Sequence, residues 1–108
     1  MMVRTHIFRV SKAKEKETLR YMNGEVRRMI LGKPGLPGCL AVFFARNQKR
    51  PREYVWVSIW KSKAAWNRTE RRKEWKEVGR REEELFSGAH PMIHYDVLWH
   101  KWFKKVAA

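Results

Sequence analysis

The chain has 108 residues, 44% of them hydrophobic and 33% charged, with six Trp, five Phe and three Tyr, which leaves room for one domain and excludes a disordered chain. Twenty-five Lys and Arg against 11 Asp and Glu give a formal charge of +14, which favours an anionic partner or serves to keep an aromatic-rich surface dissolved. A single cysteine, Cys39, excludes an internal disulfide and any multi-cysteine metal site and points to the cytoplasm, while no apolar run approaches the roughly 18 residues of a membrane span.

In chain order, Val3, Thr5 and Ile7 alternate with Arg4, His6 and Phe8, the period of a strand. With its charges and no small-residue cleavage pattern, Met1 to Val10 reads as part of the fold rather than as a signal peptide. Ser11 stands where an N-cap is wanted, and from Lys14 the apolar residues Leu19, Met22, Val26, Met29 and Ile30 form a helical stripe that stops at Gly32 and Pro34. After the turn Gly35-Leu36-Pro37-Gly38, a second strand over Cys39 to Arg46 is apolar on both parities. A basic loop over residues 47–52 leads to a third strand, Glu53 to Trp60, with Tyr54, Trp56, Ser58 and Trp60 opposite Val55, Val57 and Ile59.

Ser62 caps a second helix predicted to run unbroken from Lys63 to Phe86. Its inward stripe reads Ala65, Arg68 or Thr69, Arg72, Trp75, Val78, Glu82, Leu85 and Phe86, an inner face interrupted by polar residues. Pro91 opens a fourth strand predicted over Met92 to Trp102, where Ile93, Tyr95, Val97 and Trp99 alternate with His94, Asp96, Leu98 and His100. The domain is set at residues 1–102, followed by a short basic tail over 103–108.

The order strand, helix, strand, strand, helix, strand (βαββαβ) predicts an α+β, ferredoxin-like split β-α-β fold, an antiparallel sheet with both helices on one face. One helical layer leaves the other face open, yet strands two and three are polar on neither side. Each large apolar side chain left in water there forfeits about 1.5 to 3 kcal/mol, so a second copy of the chain is expected to cover it, with nucleic acid stacked on the aromatics as the alternative.

The segments Pro37-Gly38-Cys39-Leu40 and Tyr54 to Trp66, the latter a strand ending in Trp60, then Lys61-Ser62, then a helix, resemble the antibiotic-biosynthesis-monooxygenase superfamily. The resemblance runs over residues 1 to about 102. It implies a dimeric α+β barrel with a hydrophobic cavity between sheet and helices. It implies cofactor-free oxidation of polycyclic quinone-type substrates, or haem degradation. In the haem-degrading branch an Asn, a Trp and an iron-binding His surround the haem, and these positions fall on His6, Thr69 and Gly79, none of which keeps the family residue. The resemblance therefore implies no resident cofactor, with haem as the other candidate ligand.

His6 is the candidate catalytic base, since its parity turns it toward the helices and a neutral imidazole takes a proton from an acidic phenol near neutral pH. A hydrogen-bonded core histidine is the structural alternative. Thr69 and Arg72 are candidates to hold polar or anionic ligand atoms, and Trp60 and Trp75 to shape the pocket. The structural alternative for Arg72 is an ion pair with Glu70, Glu74, Asp96 or a partner subunit's Glu. His94 is a further candidate to bind the ligand; it shares a strand face with Asp96 and His100, but consecutive same-face residues converge poorly on a metal, so none is assigned. Cys39 has no neighbouring His and is not read as a nucleophile.

The reading is a monooxygenase-like homodimer binding a flat, hydrophobic, anionic small molecule. Its alternative is a non-catalytic module for nucleic acid or another polyanion, attracting phosphate without sequence readout, since no Lys/Arg-Gly-aromatic strand pattern is present. The segment Lys101 to Lys105 would touch an anionic membrane surface at most marginally.

Overall fold

A computed structural model describes residues 1–103. The basic tail expected over 103–108 therefore lies, beyond Phe103, outside the described residues. The elements in order are β1 (Met2–Arg9), α1 (Glu15–Tyr21), a π-helical segment (Met22–Val26), α2 (Arg27–Leu31), β2 (Cys39–Arg46), β3 (Glu53–Trp60), α3 (Lys63–Glu70), α4 (Lys73–Leu85) and β4 (Met92–Asp96). The strands form one antiparallel sheet in the order β2-β3-β1-β4, the arrangement of a ferredoxin-like α+β fold.

Strand parity sorts the side chains as the alternation predicts. Met2, His6 and Phe8 of β1 and Tyr54, Ser58 and Trp60 of β3 are buried under the helices. Their neighbours Val3, Thr5 and Ile7, with Val55, Val57 and Ile59, face the other way, where no element of the described chain covers them. On that open face Phe43, Ile93 and Tyr95 are 56%, 40% and 50% exposed.

The first helix spans the predicted stretch but widens into a π turn. Thr18, Met22, Val26 and Ile30 recur every fourth residue, and in an α-helix each such step overshoots a full turn by about 40°. The π segment winds more residues into a turn and takes back part of that drift, so Thr18, Met22 and Val26 all stay buried.

Two predicted elements are corrected. The second helix is not continuous: Arg72 is extended (ψ 142°) between α3 and α4. Its Nη1 donates to the Gly35 carbonyl at 2.7 Å, pinning the break to the loop after α2. The fourth strand ends at Asp96, not Trp102, because among the described residues its only neighbour is β1 and Asp96 already pairs with Met2, the first residue of that strand. Past this point, among the described residues, one backbone bond, Val97 N–H to Met1 C=O, continues the pairing.

The helix-side core is divided. One cluster gathers Phe8, Val10, Tyr21, Met22, Val26, Tyr54, Val78 and Leu85, and a smaller one gathers Met2, Trp60, Ala65 and Trp66. Gly38, at φ 85°, lets the turn before β2 press against α3, where a Cβ would stand 2.6 Å from that of Ala65.

Candidate functional site

The gap between the two clusters is a cavity of about 410 Å³, the size of a small-molecule site. Its aromatic walls are Trp56 and Trp60 from β3, Trp66 from α3 and Trp75 from α4, and Val26 and Ile30 close the side formed by the first helix. Trp56 stacks on Phe44 at 4.6 Å and Phe8 on Phe86 at 3.9 Å, so the aromatic packing around the cavity is tied into the larger core. Trp60 donates its indole N–H to Ser58 Oγ at 2.8 Å, leaving that hydroxyl's own proton for another acceptor.

On the polar side Arg4, His6, Ser58 and Glu82 line the cavity, and Glu70, Arg71 and Lys76 add further charged lining from α3, the break after it and α4. Arg4 lies over the Trp66 ring, 4.1 Å from its centroid, and donates to Met92 Sδ at 2.8 Å. Its Nε is buried and finds no hydrogen-bond partner among the described residues. Burial lowers the proton affinity of its guanidinium, against the pull of Glu82 and Glu70.

His6 is 1% exposed, and its Nε2 is 2.9 Å from Nδ1 of His90. Burial above all, then the charge of Arg4 and the presence of His90, pushes its pKa down to about 4. Glu82 stands across from it, with Oε2 3.8 Å from His6 Nδ1. Burial pushes the Glu82 carboxyl up to about 7, with Arg4 opposing and Glu83 adding to the rise. Between about pH 4 and 7 both groups are therefore neutral, and their contact is not an ion pair.

Three of the residues singled out in the sequence, His6, Trp60 and Trp75, meet in this wall. The other three lie outside it. Thr69 is buried within α3. Arg72 donates to the Gly35 carbonyl and, through Nε, to Glu74 at 3.3 Å, one of the ion-pair partners its structural reading named. His94 meets Trp66 in a T-shaped contact, ring centroids 6.3 Å apart, opposite Arg4 in the β1–β4 register. Burial, then Arg4 and Lys63, lowers its pKa.

Among the described residues no three metal-ligating side chains converge. Haem is poorly matched as well: His6 engages His90 through one ring nitrogen and faces Glu82 through the other, and His94 is outside the cavity.

Arg4, Glu82 and His90 escaped the sequence reading as site residues. Two carried a signal: Arg4 has the inward parity of His6 and Phe8, and Glu82 falls in the inward stripe of the second helix. His90 sits in a loop, where no period applies.

The family described as antibiotic biosynthesis monooxygenase matches residues 4–81. No curated protein matches the chain. Among solved structures, a Deinococcus radiodurans protein bearing that family's name superimposes with a TM-score of 0.79 at 9% identity, over 97% of this chain and 100% of that one. One from Caulobacter crescentus gives 0.77 at 18% identity, over 91% and 90% of the two chains. SnoaB, a cofactor-independent oxygenase from Streptomyces nogalater, gives 0.67 at 13% identity, over 92% and 94%. At such identities the likeness is one of fold.

Proposed function

The chain belongs to the antibiotic biosynthesis monooxygenase family, and from that premise we propose that its cavity binds a flat, hydrophobic small molecule with an acidic or anionic oxygen and oxidises it with O₂, without a resident cofactor. The observation that carries this is the meeting of four tryptophans with a half-buried arginine, whose Nε is buried and unpartnered among the described residues, and a neutral histidine in one cavity. The tryptophans, Trp60 and Trp75 among them, suit a planar ring system. Arg4 Nε suits an anionic oxygen, the task for which the sequence put forward Thr69 and Arg72.

In this reading His6 is the base. For a polycyclic phenol with an activated CH₂, removal of a proton leaves a carbanion that donates its electrons to O₂. The resulting peroxide regains the proton and loses water, so that CH₂ and O₂ become C=O and H₂O with atoms and electrons balanced.

The open apolar face supports a homodimer. Phe43 on β2, Ile7 on β1, and Ile93 and Tyr95 on β4 are exposed on it, and Leu98, Trp99 and Phe103 stand exposed in the segment beyond β4. No helix among the described residues is long and apolar enough to cross a membrane, and the free thiol of Cys39 suits the cytoplasm. The charge of +14 favours a second reading, a polyanion-binding module, whose mark is affinity that falls steeply with salt.

The test supplies a hydroxyanthrone and follows O₂ uptake and ketone formation. Wild-type turnover, with His6→Ala still binding the probe but not oxidising it, is the expected result. Undiminished turnover in His6→Ala overturns the base role, and a wild type that neither binds nor oxidises the probe overturns the reading.

A further inference from the structure

Behind His6 a line of titratable groups leads away from the cavity. His6 Nε2 is 2.9 Å from His90 Nδ1, and His90 Nε2 is 2.9 Å from Glu83 Oε1. Exposure climbs along the line, from 1% at the His6 side chain to 14% at His90 and 72% at Glu83. At the inner end His6 Nδ1 is turned toward Glu82 in the cavity wall. Phe86 meets both imidazoles edge-on, with centroids 5.6 and 5.2 Å away, and holds their ring planes. The charged groups facing the pair are Arg4 on the same face of β1 and Glu82 and Glu83 from α4, while Met92, opposite His6 on β4, brings no charge.

The chemistry of the groups fixes the direction of every hydrogen bond. An ionised carboxylate only accepts, so Glu83 requires a proton on His90 Nε2. Neutral His90 is then bare at Nδ1 and accepts, which requires a proton on His6 Nε2. Neutral His6 is in turn bare at Nδ1, the atom that faces the cavity side.

We propose that His90 and Glu83 form a proton relay that sets the tautomer of His6, makes Nδ1 its basic atom, and carries the proton taken from a cavity ligand out to solvent. The transport step rests on the base role given to His6 above; the wiring does not. As the ligand's bond to hydrogen breaks, His6 Nδ1–H forms. His6 Nε2–H breaks as His90 Nδ1–H forms, His90 Nε2–H breaks as Glu83 O–H forms, and Glu83 releases its proton to water. One proton leaves the cavity and no electrons move. Protonation of the peroxide runs the same path inward and restores every starting N–H. His90 and Glu83 are thus positioning residues, separated from the ligand by His6.

The test combines tautomer and kinetics. Long-range nitrogen–proton NMR correlations on the isotope-labelled protein should show His6 unprotonated at Nδ1. Glu83→Lys replaces an acceptor-only group by a donor-only one on an exposed site and should move the unprotonated nitrogen of His6 to Nε2, with Glu83→Ala giving a mixture. Wild-type His6 bare at Nε2, or the same His6 pattern in wild type and Glu83→Lys, overturns the wiring. With the hydroxyanthrone, Glu83→Ala should lower kcat about 10-fold or more in dilute buffer, leave KM in place, and recover with added imidazole. An unchanged kcat overturns the transport step. If the wild type shows the expected tautomers but does not oxidise the probe, the function proposed above and the transport step fall together, and tautomer control stands alone.

Discussion

His6 Nδ1 and Glu82 Oε2 lie 3.8 Å apart in the cavity wall, and burial moves their proton affinities in opposite directions. Glu82, raised from 4.5 to about 7, holds its proton more tightly folded than unfolded. Its contribution to stability is full below pH 4.5 and is lost as pH rises through 7. His6, lowered from 6.5 to about 4, contributes fully above pH 6.5 and loses that contribution as pH falls toward 4. The two slopes oppose each other between pH 4.5 and 6.5, so stability there should be nearly flat. Glu82→Gln removes one slope and leaves the other. Its stability relative to wild type, read by chemical denaturation across that range and up to pH 8, should rise by ~3 kcal/mol with pH. Parallel curves for the two proteins would mean that Glu82 titrates normally.

Arg4 offers an anionic ligand a half-buried cation whose Nε is buried without a partner among the described residues. Arg4→Met keeps the length of the side chain and removes its charge. Binding of anilinonaphthalene sulfonate, a flat anionic probe followed by its fluorescence, should weaken about 10-fold or more, the worth of a charged hydrogen bond. An unchanged Kd would place the sulfonate away from Arg4.

Gly38→Ala should destabilise the fold by about 2 to 4 kcal/mol, because it joins a left-handed backbone to a steric overlap with α3. The overlap is with one methyl group, that of Ala65. In a double-mutant cycle, Gly38→Ala and Ala65→Gly together should therefore cost less than the sum of the separate changes. Strict additivity of the two denaturation midpoints would show that the backbone strain alone matters.

Val57 lies in the middle of the open sheet face, paired with Thr5 on one side and Phe43 on the other. Val57→Lys should leave the circular dichroism spectrum intact and reduce the light-scattering mass from two chains to one. A wild type that already runs as a single chain would remove the dimer from the proposed function.

Much of the fold is legible in residue spacing, because burial on one side leaves a mark. The parity of Arg4, His6 and Phe8, and the Ser62 cap, whose Oγ accepts from Ala65 N–H, are read correctly. The break at Arg72 is not, for arginine is a good helix former and the anchor that turns the chain is a backbone carbonyl far off in sequence. The end of β4 is equally invisible, since the residues continue to alternate after the neighbouring strand has run out. The site follows the same division. His6, Trp60 and Trp75 lie on periodic faces, whereas the partner His90 is brought to His6 by tertiary structure across a separation of 84 residues.

The π turn over Met22–Val26 also decides where this helix tolerates a change in chain length. A residue lost from α1 or α2 rotates everything beyond it by about 100°, which would swing Ile30 out of the cavity wall. A residue lost within the π turn is absorbed, because the segment relaxes to ordinary α winding and both flanks keep their present faces. Deletions among relatives should therefore gather at this one turn, and a chain shortened there would keep the same aliphatic wall.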